Sequence, residues 1–462
     1  MALQSGRDAG EWLRETIDRN RQQEPNGVYS VCSAHPRVLE AAVRHAQDNG
    51  SMLCIESTSN QVNQFGGYTG QSPAQFASFV AGLAIEAGFG RERILLGGDH
   101  LGPYPWRAQP SRQALQNGCD LVQACVLAGY RKIHLDASMA CADDLSPALG
   151  DELVAQRAAE LCAAAEDAWA RLPSGSPAPV YVIGTEVPVP GGETSSSASP
   201  EPTSVGHMQQ TVEMSHGAFL ARGLSDAWER VIGLVVQTGA EFGDAVVYDF
   251  DAENARTLAA NLPASPRLVY EAHSTDYQTP DALRKMVRDH FAILKVGPWL
   301  TFAYREAIFA LGAIEKEWLS ARKDVRVSDV LRALDQAMLS DPTYWKAYYP
   351  ADEQEARFAR RYSFSDRCRY YWSEASVQKE VDLLMTNLSA EIPLALISQY
   401  LPQQYEAVRE RRLPNRPASL IESRIRLVLD TYLNACGGPE RPARGGLLRA
   451  ALHRSRPVQG CQ

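Results

Sequence analysis

Ile94-Leu95-Leu96-Gly97-Gly98-Asp99-His100 is an apolar run that ends abruptly at a carboxylate beside an imidazole. Bounded by glycines and by Pro103, it reads as a buried parallel strand whose last residues leave the core. In a barrel, Asp99 and His100 would then sit at the rim where barrel enzymes keep their chemistry. The same event recurs down the chain. Gly184-Thr185-Glu186 follows Val180-Tyr181-Val182-Ile183, and His273-Ser274-Thr275-Asp276 follows Leu268-Val269-Tyr270-Glu271. Polar groups ending separate strands, far apart in sequence, are what one composite site looks like before folding.

Outward from this stretch, apolar runs mark eight strand candidates, at residues 28–33, 52–56, 94–98, 132–136, 180–184, 231–237, 268–272 and 293–296. Helical patterns lie between them, among others at residues 36–48, 73–88, 151–169 and 209–229. Strands alternating with helices imply a parallel sheet, and a count of eight predicts an α/β fold closed into a TIM (β/α)8 barrel. With 462 residues the chain exceeds one barrel and leaves room for an appendage. The barrel is expected over residues 1–310 and a helical extension packed on it over 311–436. That extension carries the aromatic stretches Tyr344-Trp345-Lys346-Ala347-Tyr348-Tyr349 and Arg367-Cys368-Arg369-Tyr370-Tyr371-Trp372, read as core packing with an oligomer contact as the alternative. Residues 437–462, rich in Gly, Pro and Arg, are expected to be a disordered tail. Residues 191–202 form a Gly, Ser, Thr and Pro run after the fifth strand, a lid candidate or a plain insertion.

A formal net charge of −9 disfavours nucleic acid as a partner, because the overall field repels a phosphate backbone. Nine cysteines without a CxxC pair suggest free thiols in a reducing compartment. Nowhere do 18 uninterrupted apolar residues occur, so no membrane partner is expected and the protein is placed in the cytoplasm.

The strand-end groups His100, His134, Asp136, Glu186 and His273, with Asp99 beside the first, combine imidazoles and carboxylates. That mixture suits Zn²⁺ or a similar ion, and three protein ligands with an open position is the catalytic pattern. A lone histidine at a strand end is more often structural; several at matching ends favour ligation. Asp99, next to a ligating His, could shuttle a proton to or from a hydroxyl.

Several blocks together carry a resemblance. They are Ser33-Ala34-His35-Pro36, the run from Glu56 through Asn60-Gln61-Val62-Asn63-Gln64 to Gly70, Gly97-Gly98-Asp99-His100-Leu101-Gly102-Pro103, His134-Leu135-Asp136-Ala137-Ser138, Gly184-Thr185-Glu186 continuing to Gly191-Gly192-Glu193, and Tyr270-Glu271-Ala272-His273-Ser274-Thr275-Asp276-Tyr277. Leu294-Lys295-Val296-Gly297-Pro298, Arg361-Tyr362-Ser363 and Ile397-Ser398-Gln399-Tyr400-Leu401-Pro402 extend it. The chain resembles the Z-type subunit of class II tagatose-1,6-bisphosphate aldolase over nearly its whole length.

The resemblance implies a barrel related to metal-dependent class II ketose-bisphosphate aldolases, with a divalent cofactor, Zn²⁺ or alternatively Mn²⁺. By it Asp99 is the proton shuttle, His100 and His273 are metal ligands, and Glu186 is an outer ligand or catalytic support. Gln237 stands where that superfamily has another histidine, a departure that leaves a weaker ligand. The implied substrate is a ketose phosphate, bisphosphate or free ketose. Its phosphate end would meet Ser274, Thr275, Asp276, Gly297 and Lys295 around the seventh and eighth strands. Lys295 could instead be a buried partner of Asp276 or Glu271. Asn60 and Gln64 offer amides to sugar hydroxyls, or form a turn stitched by its own amides; His134 and Asp136 complete the substrate set. His35 is read as capping the helix that enters at Pro36. The implied reaction is aldol cleavage at C3–C4 or, by re-addition, C4 epimerisation of tagatose and fructose phosphates. The alternative is a non-catalytic companion of a separate class II aldolase catalytic subunit, and the chain is expected as a homo-oligomer or in such a complex.

Overall fold

The structure, a computed structural model, describes residues 8–146, 148–186 and 200–438. Most of the lid candidate and the tail from residue 439 onward lie outside the described residues. Eight parallel strands close a barrel in sequential order: β1 (Val28–Val31), β2 (Leu53–Thr58), β3 (Ile94–Leu101), β4 (Lys132–Leu135), β5 (Val180–Ile183), β6 (Val231–Val236), β7 (Val269–Ala272) and β8 (Phe291–Val296). Closure is made where Val28 to Val31 of β1 register with Ile293 to Val296 of β8. All the strand positions expected from sequence are occupied. The main shift is in β3, which continues three residues past the expected end because Asp99 still registers with Thr58 and Leu101 with Leu135.

The barrel interior is filled in layers. Its lower layer is apolar, built from Val28, Cys54, Leu95, Val180, Val182, Ile232, Val235, Val269 and Ile293. Helix Ala9–Arg21 plugs this end with Leu13 and Ile17, both buried, each contributing roughly 1.5–3 kcal/mol by leaving water. Asp8 caps that helix by accepting from Gly10 N–H and pairs with Arg131, which fixes the plug to the barrel floor. Interior positions at the opposite, C-terminal end are charged or imidazole, and there the site is built.

The helix after β8, Pro298–Leu319, runs through the expected boundary at 310. The last helix, Pro417–Ala435, packs against Pro36–Asn49, Pro280–Arg288 and Pro298–Leu319, so a distant segment helps close the helical ring. The extension shares one hydrophobic core with the barrel. Its two aromatic stretches are short 3-10 turns, Pro342–Tyr344 and Arg367–Tyr371, with Trp345, Tyr349, Tyr371 and Trp372 buried. Arginines stack on their rings: Arg367 lies 3.3 Å above Tyr348, and Arg360, from the helix Glu353–Tyr362, lies 4.9 Å above Trp345. Between β6 and β7 a small antiparallel ribbon, Glu241–Phe242 with Val247–Tyr248, carries Asp244 at its turn. Asp244 accepts from the hydroxyls of Ser363 and Ser365 and ties the extension to the barrel mouth. Among the described residues, no helix is long and apolar enough to cross a membrane.

Candidate active site

Consecutive residues of a strand point to opposite faces, so Asp99 and His100 cannot both serve one site on a regular β3. The chain solves this with a bulge. Pairing with β4 gains one residue between Gly98 and Leu101, and His100 takes a left-handed φ of +49°. Both side chains thereby line one cavity of about 390 Å³ at the C-terminal mouth, within the range of small-ligand pockets. Gly102 is required just beyond: a Cβ there would lie 1.8 Å from the carbonyl oxygen of Asp136. The close approach it permits brings Asp136 Oδ2 to 2.8 Å from His100 Nδ1.

Three histidines converge here. His100, His134 and His273, from the ends of β3, β4 and β7, have ring centroids 4.9 to 5.2 Å apart. One nitrogen of each ring lies at hydrogen-bond distance from a carboxylate: His100 Nδ1 from Asp136, His134 Nδ1 from Asp99 at 2.9 Å, and His273 Nε2 from Glu271 at 3.0 Å; His134 Nδ1 also accepts from the His100 backbone N–H at 3.2 Å. The His134 Nε2 is buried and has no hydrogen-bond partner. Burial draws the His273 imidazole down to about 4, despite its bond to Glu271.

Beneath the rings lies a charge network. Lys132, fully buried, sits 2.6 Å from both Glu56 and Glu271. Lys295 pairs with Glu56, with Asp99 Oδ1 at 3.0 Å and with Glu271 at 3.6 Å. Burial opposes the charge on Lys295, but Asp99, Glu271 and Glu56 win and hold its pKa well above the usual lysine value. Burial likewise works against ionised Asp99, and the charges of His100 and Lys295 hold that carboxyl well below its usual range. Together with the His100 partner Asp136, four carboxylates face two ammonium groups. The carboxylates outnumber the ammonium groups by two, an excess of negative charge that a divalent cation would offset and that Asp99 and Asp136 already express by raising the pKa of His100 against its burial.

The donor set fits such an ion. One atom each from Asp99, His134, Glu271 and His273 lie within 4.8 Å of one another, all buried. Imidazoles that give their second nitrogen to carboxylates are the arrangement by which proteins orient metal-binding histidines. His100 Nε2, 3.8 Å from Asp99 Oδ2, stands next to this set.

The residues expected from sequence divide into groups. Asp99, His100, His273, Asn60, Ser274, Asp276, Lys295 and Gly297 line the cavity. His134 and Asp136 lie behind it, as a potential ligand and as the holder of His100. Glu186 and Gln237 stand apart from the histidines. Glu186 pairs with His207 Nδ1 at 2.9 Å and accepts from Thr203, while Gln237 Oε1 accepts from Gly239 N–H at 2.9 Å. Thr203 also bonds the Gln237 backbone, so the ends of β5 and β6 are drawn toward that segment rather than into the cavity. Gln64 donates to Asn117 O at 2.9 Å, outside the lining. The hydroxyl of Thr275 is held between Lys295 O, at 2.6 Å, and Tyr432. Asp276 Oδ1 accepts from Gly297 N–H at 3.0 Å and Trp299 N–H at 2.8 Å, and burial raises its carboxyl to about 6. His35 makes no side-chain cap; its ring packs 4.3 Å from Tyr304 and burial lowers it to about 3.

Glu56 and Lys132 were not singled out from sequence, and Glu271 only as a possible partner of Lys295, a pair now seen at 3.6 Å. A signal existed: Lys132-Ile133-His134 and Glu271-Ala272-His273 alternate with period two, so each charged residue shares the inner face of its strand with a histidine.

Comparison with known proteins agrees with this architecture. Residues 13–437 match the family profile described as D-tagatose-1,6-bisphosphate aldolase subunit GatZ/KbaZ-like. The structure is similar to that of a probable tagatose 6 phosphate kinase from Sinorhizobium meliloti 1021, with 42% identity, a TM-score of 0.80, and coverage of 89% of this chain and 100% of that one. Weaker similarity links it to the fructuronate-tagaturonate epimerase UxaE of Cohnella laeviribosi, at 12% identity and a TM-score of 0.47 over 89% of this chain and 81% of that one. The YdjI aldolase of Escherichia coli K12 follows at 10% identity and a TM-score of 0.38 over 82% and 98%. The assignment rests on the profile match and on the first of these structures. The chain belongs to the GatZ/KbaZ-like family of D-tagatose-1,6-bisphosphate aldolase subunits.

Proposed function

We propose that the cavity binds a ketose phosphate of the tagatose type and that this chain carries out aldol chemistry at its C3–C4 bond. One observation carries the reading: the two oxygens of Asp99 are unlike. Oδ1 is clamped by His134 Nδ1 and Lys295 Nζ, while Oδ2 faces His100 Nε2 at 3.8 Å, beyond hydrogen-bond distance. A carboxylate fixed through one oxygen and open through the other is suited to exchange a proton with a bound hydroxyl.

In the cleavage direction Asp99 Oδ2 takes the proton of the C4 hydroxyl. The C3–C4 bond breaks, its electron pair passes toward the C2 carbonyl, and C4 becomes an aldehyde. His134, His273, Glu271 and Asp99, with His100 beside them, would hold a divalent ion, Zn²⁺ by the imidazole and carboxylate donors, which when bound supplies a Lewis acid for the charge developing on that carbonyl. Lys295 keeps Asp99 ionised and oriented, and Lys132 neutralises Glu56 and Glu271 below it. Re-addition to the opposite face of the aldehyde, with Asp99 Oδ2 returning its proton to the C4 oxygen, gives the C4 epimer; net cleavage instead requires the aldehyde to leave and a proton from solvent to reach C3.

The test is turnover by the purified chain alone, supplied with Zn²⁺ or Mn²⁺ and with tagatose or fructose phosphates, followed by aldehyde release and by epimer formation. Asp99→Asn is expected to lower kcat about 10²- to 10⁴-fold with far-ultraviolet circular dichroism unchanged. Silence of the chain until a separate class II aldolase subunit is added, with Asp99→Asn equally effective in the mixture, would establish the companion role instead.

A further inference from the structure

Among the described residues, only two lysine or arginine side chains line the cavity, Lys295 and Arg369. Lys295 is committed to three carboxylates. The backbone N–H groups that open the helix after β8, a common anion cradle in barrels, are consumed here, since Asp276 Oδ1 takes both Gly297 N–H and Trp299 N–H. Arg369 differs. None of the ion pairs among the described residues includes it; its guanidinium donates to Ser365 O and, at 2.8 Å, to Tyr370 Oη, and it lies 4.4 Å over the Tyr370 ring. Those two bonds use two of its five N–H groups.

Arg369 is also held in place. Its turn follows Asp366, which adopts a left-handed φ of +46° and accepts from Thr301 Oγ1 at 2.6 Å, with Arg305 at 3.5 Å. Ser365, whose carbonyl receives the guanidinium, is bonded through its hydroxyl to Asp244. The extension thus presents a braced cation, in direct contact with no carboxylate although Asp366 and Asp276 act on it through space, on the wall of the cavity that Asp99 also lines, and bracing cuts the ordering cost of binding. A guanidinium with a free edge matches the oxygens of a phosphate or carboxylate in two-point contact.

We infer that Arg369 recognises the anionic terminus of the sugar, a phosphate monoester on the carbon chain remote from the reacting bond. The inference rests on the proposed function and names the group that would give that site its preference for charged over uncharged ketoses.

The experiment compares wild type with Arg369→Gln and Arg369→Lys, using D-tagatose 6-phosphate, the corresponding 6-carboxylate and free D-tagatose, in turnover and in direct calorimetric binding. Arg369→Gln is expected to raise KM and Kd for the 6-phosphate at least tenfold, with kcat within about threefold, and to leave free tagatose within twofold. The carboxylate arm separates the sources of the anion: a larger loss for the phosphate supports the inference, and a loss confined to the carboxylate overturns it in favour of a uronate. Preference for the 6-phosphate kept within twofold of wild type also overturns it. Should Arg369→Gln fail to fold, Arg369→Lys decides by the same preference, expected to fall at least threefold because the planar fork is lost. If wild type binds the 6-phosphate but shows no C3–C4 chemistry, the functional reading fails while the binding comparison still judges Arg369.

Discussion

Lys295 Nζ lies 3.0 Å from Asp99 Oδ1 and at the same time pairs with Glu56, so one buried ammonium serves the reacting carboxylate and its neighbour. Removing it leaves buried negative charge uncompensated. Lys295→Met is expected to destabilise the fold by about 3–5 kcal/mol, read from urea unfolding. The double variant Lys295→Met with Glu56→Gln should recover at least half of that loss. Equal stability of the single and double variants would show that the charges act independently.

Metal content separates the residues that resemblance to relatives assigns from those that the geometry assembles. His100→Ala, His134→Ala and His273→Ala should each lose most bound Zn²⁺ in elemental analysis of the purified protein. Glu186→Ala and Gln237→Ala should retain it, because their side chains are bonded to His207 and Gly239 instead. Asp136→Asn, which alters the partner of His100 Nδ1, should weaken affinity about 10- to 100-fold.

The Asp276 carboxyl is raised by burial from 3.8 to about 6 in the folded protein. A folded value above the unfolded one means the native state binds the proton more tightly. Stability from this group is therefore full below about pH 4, declines as pH rises toward 6, and stays lost above it. Asp276→Asn should be more stable than wild type at pH 7.5, by on the order of 3 kcal/mol at most, and indistinguishable from it at pH 4. Urea midpoints at the two pH values provide the check; parallel pH profiles would refute the assignment.

The Tyr432 hydroxyl donates to Thr275 O at 2.8 Å and lies 3.0 Å from Thr275 Oγ1, joining the last helix to the residue between Ser274 and Asp276. Both groups are buried. Tyr432→Phe is expected to cost about 1–3 kcal/mol, because the threonine oxygens lose a partner away from water. Thermal unfolding of the variant measures it, and an unchanged midpoint would mean water replaces the phenol.

Asp99, His100 and His273 were legible as strand-end groups because an apolar run that stops at a polar residue marks where a strand leaves the core. Lys132, Glu56 and Glu271 were harder to see, since a charged residue inside or beside an apolar run ordinarily argues for solvent exposure. Only neutralisation across β2, β4, β7 and β8 makes their burial tolerable, and that pairing spans more than two hundred residues of sequence. Glu186 differs from these. It ends a strand as Asp99 does, yet Thr203 and His207 hold it elsewhere. Arg369 gave no signal of its own, because nothing local distinguishes an arginine stacked on a tyrosine in a core from one turned to a cavity.

The sequence by itself determined the barrel: local periodicity decides what becomes strand or helix, and eight alternations leave few ways to bury every strand on both faces. Tertiary structure alone decided which polar ends meet. A one-residue bulge at His100 brings two consecutive side chains to one site, and barrel closure sets β8 beside β1 and thus Lys295 against Glu56. Both depend on register between distant segments, which no local pattern encodes.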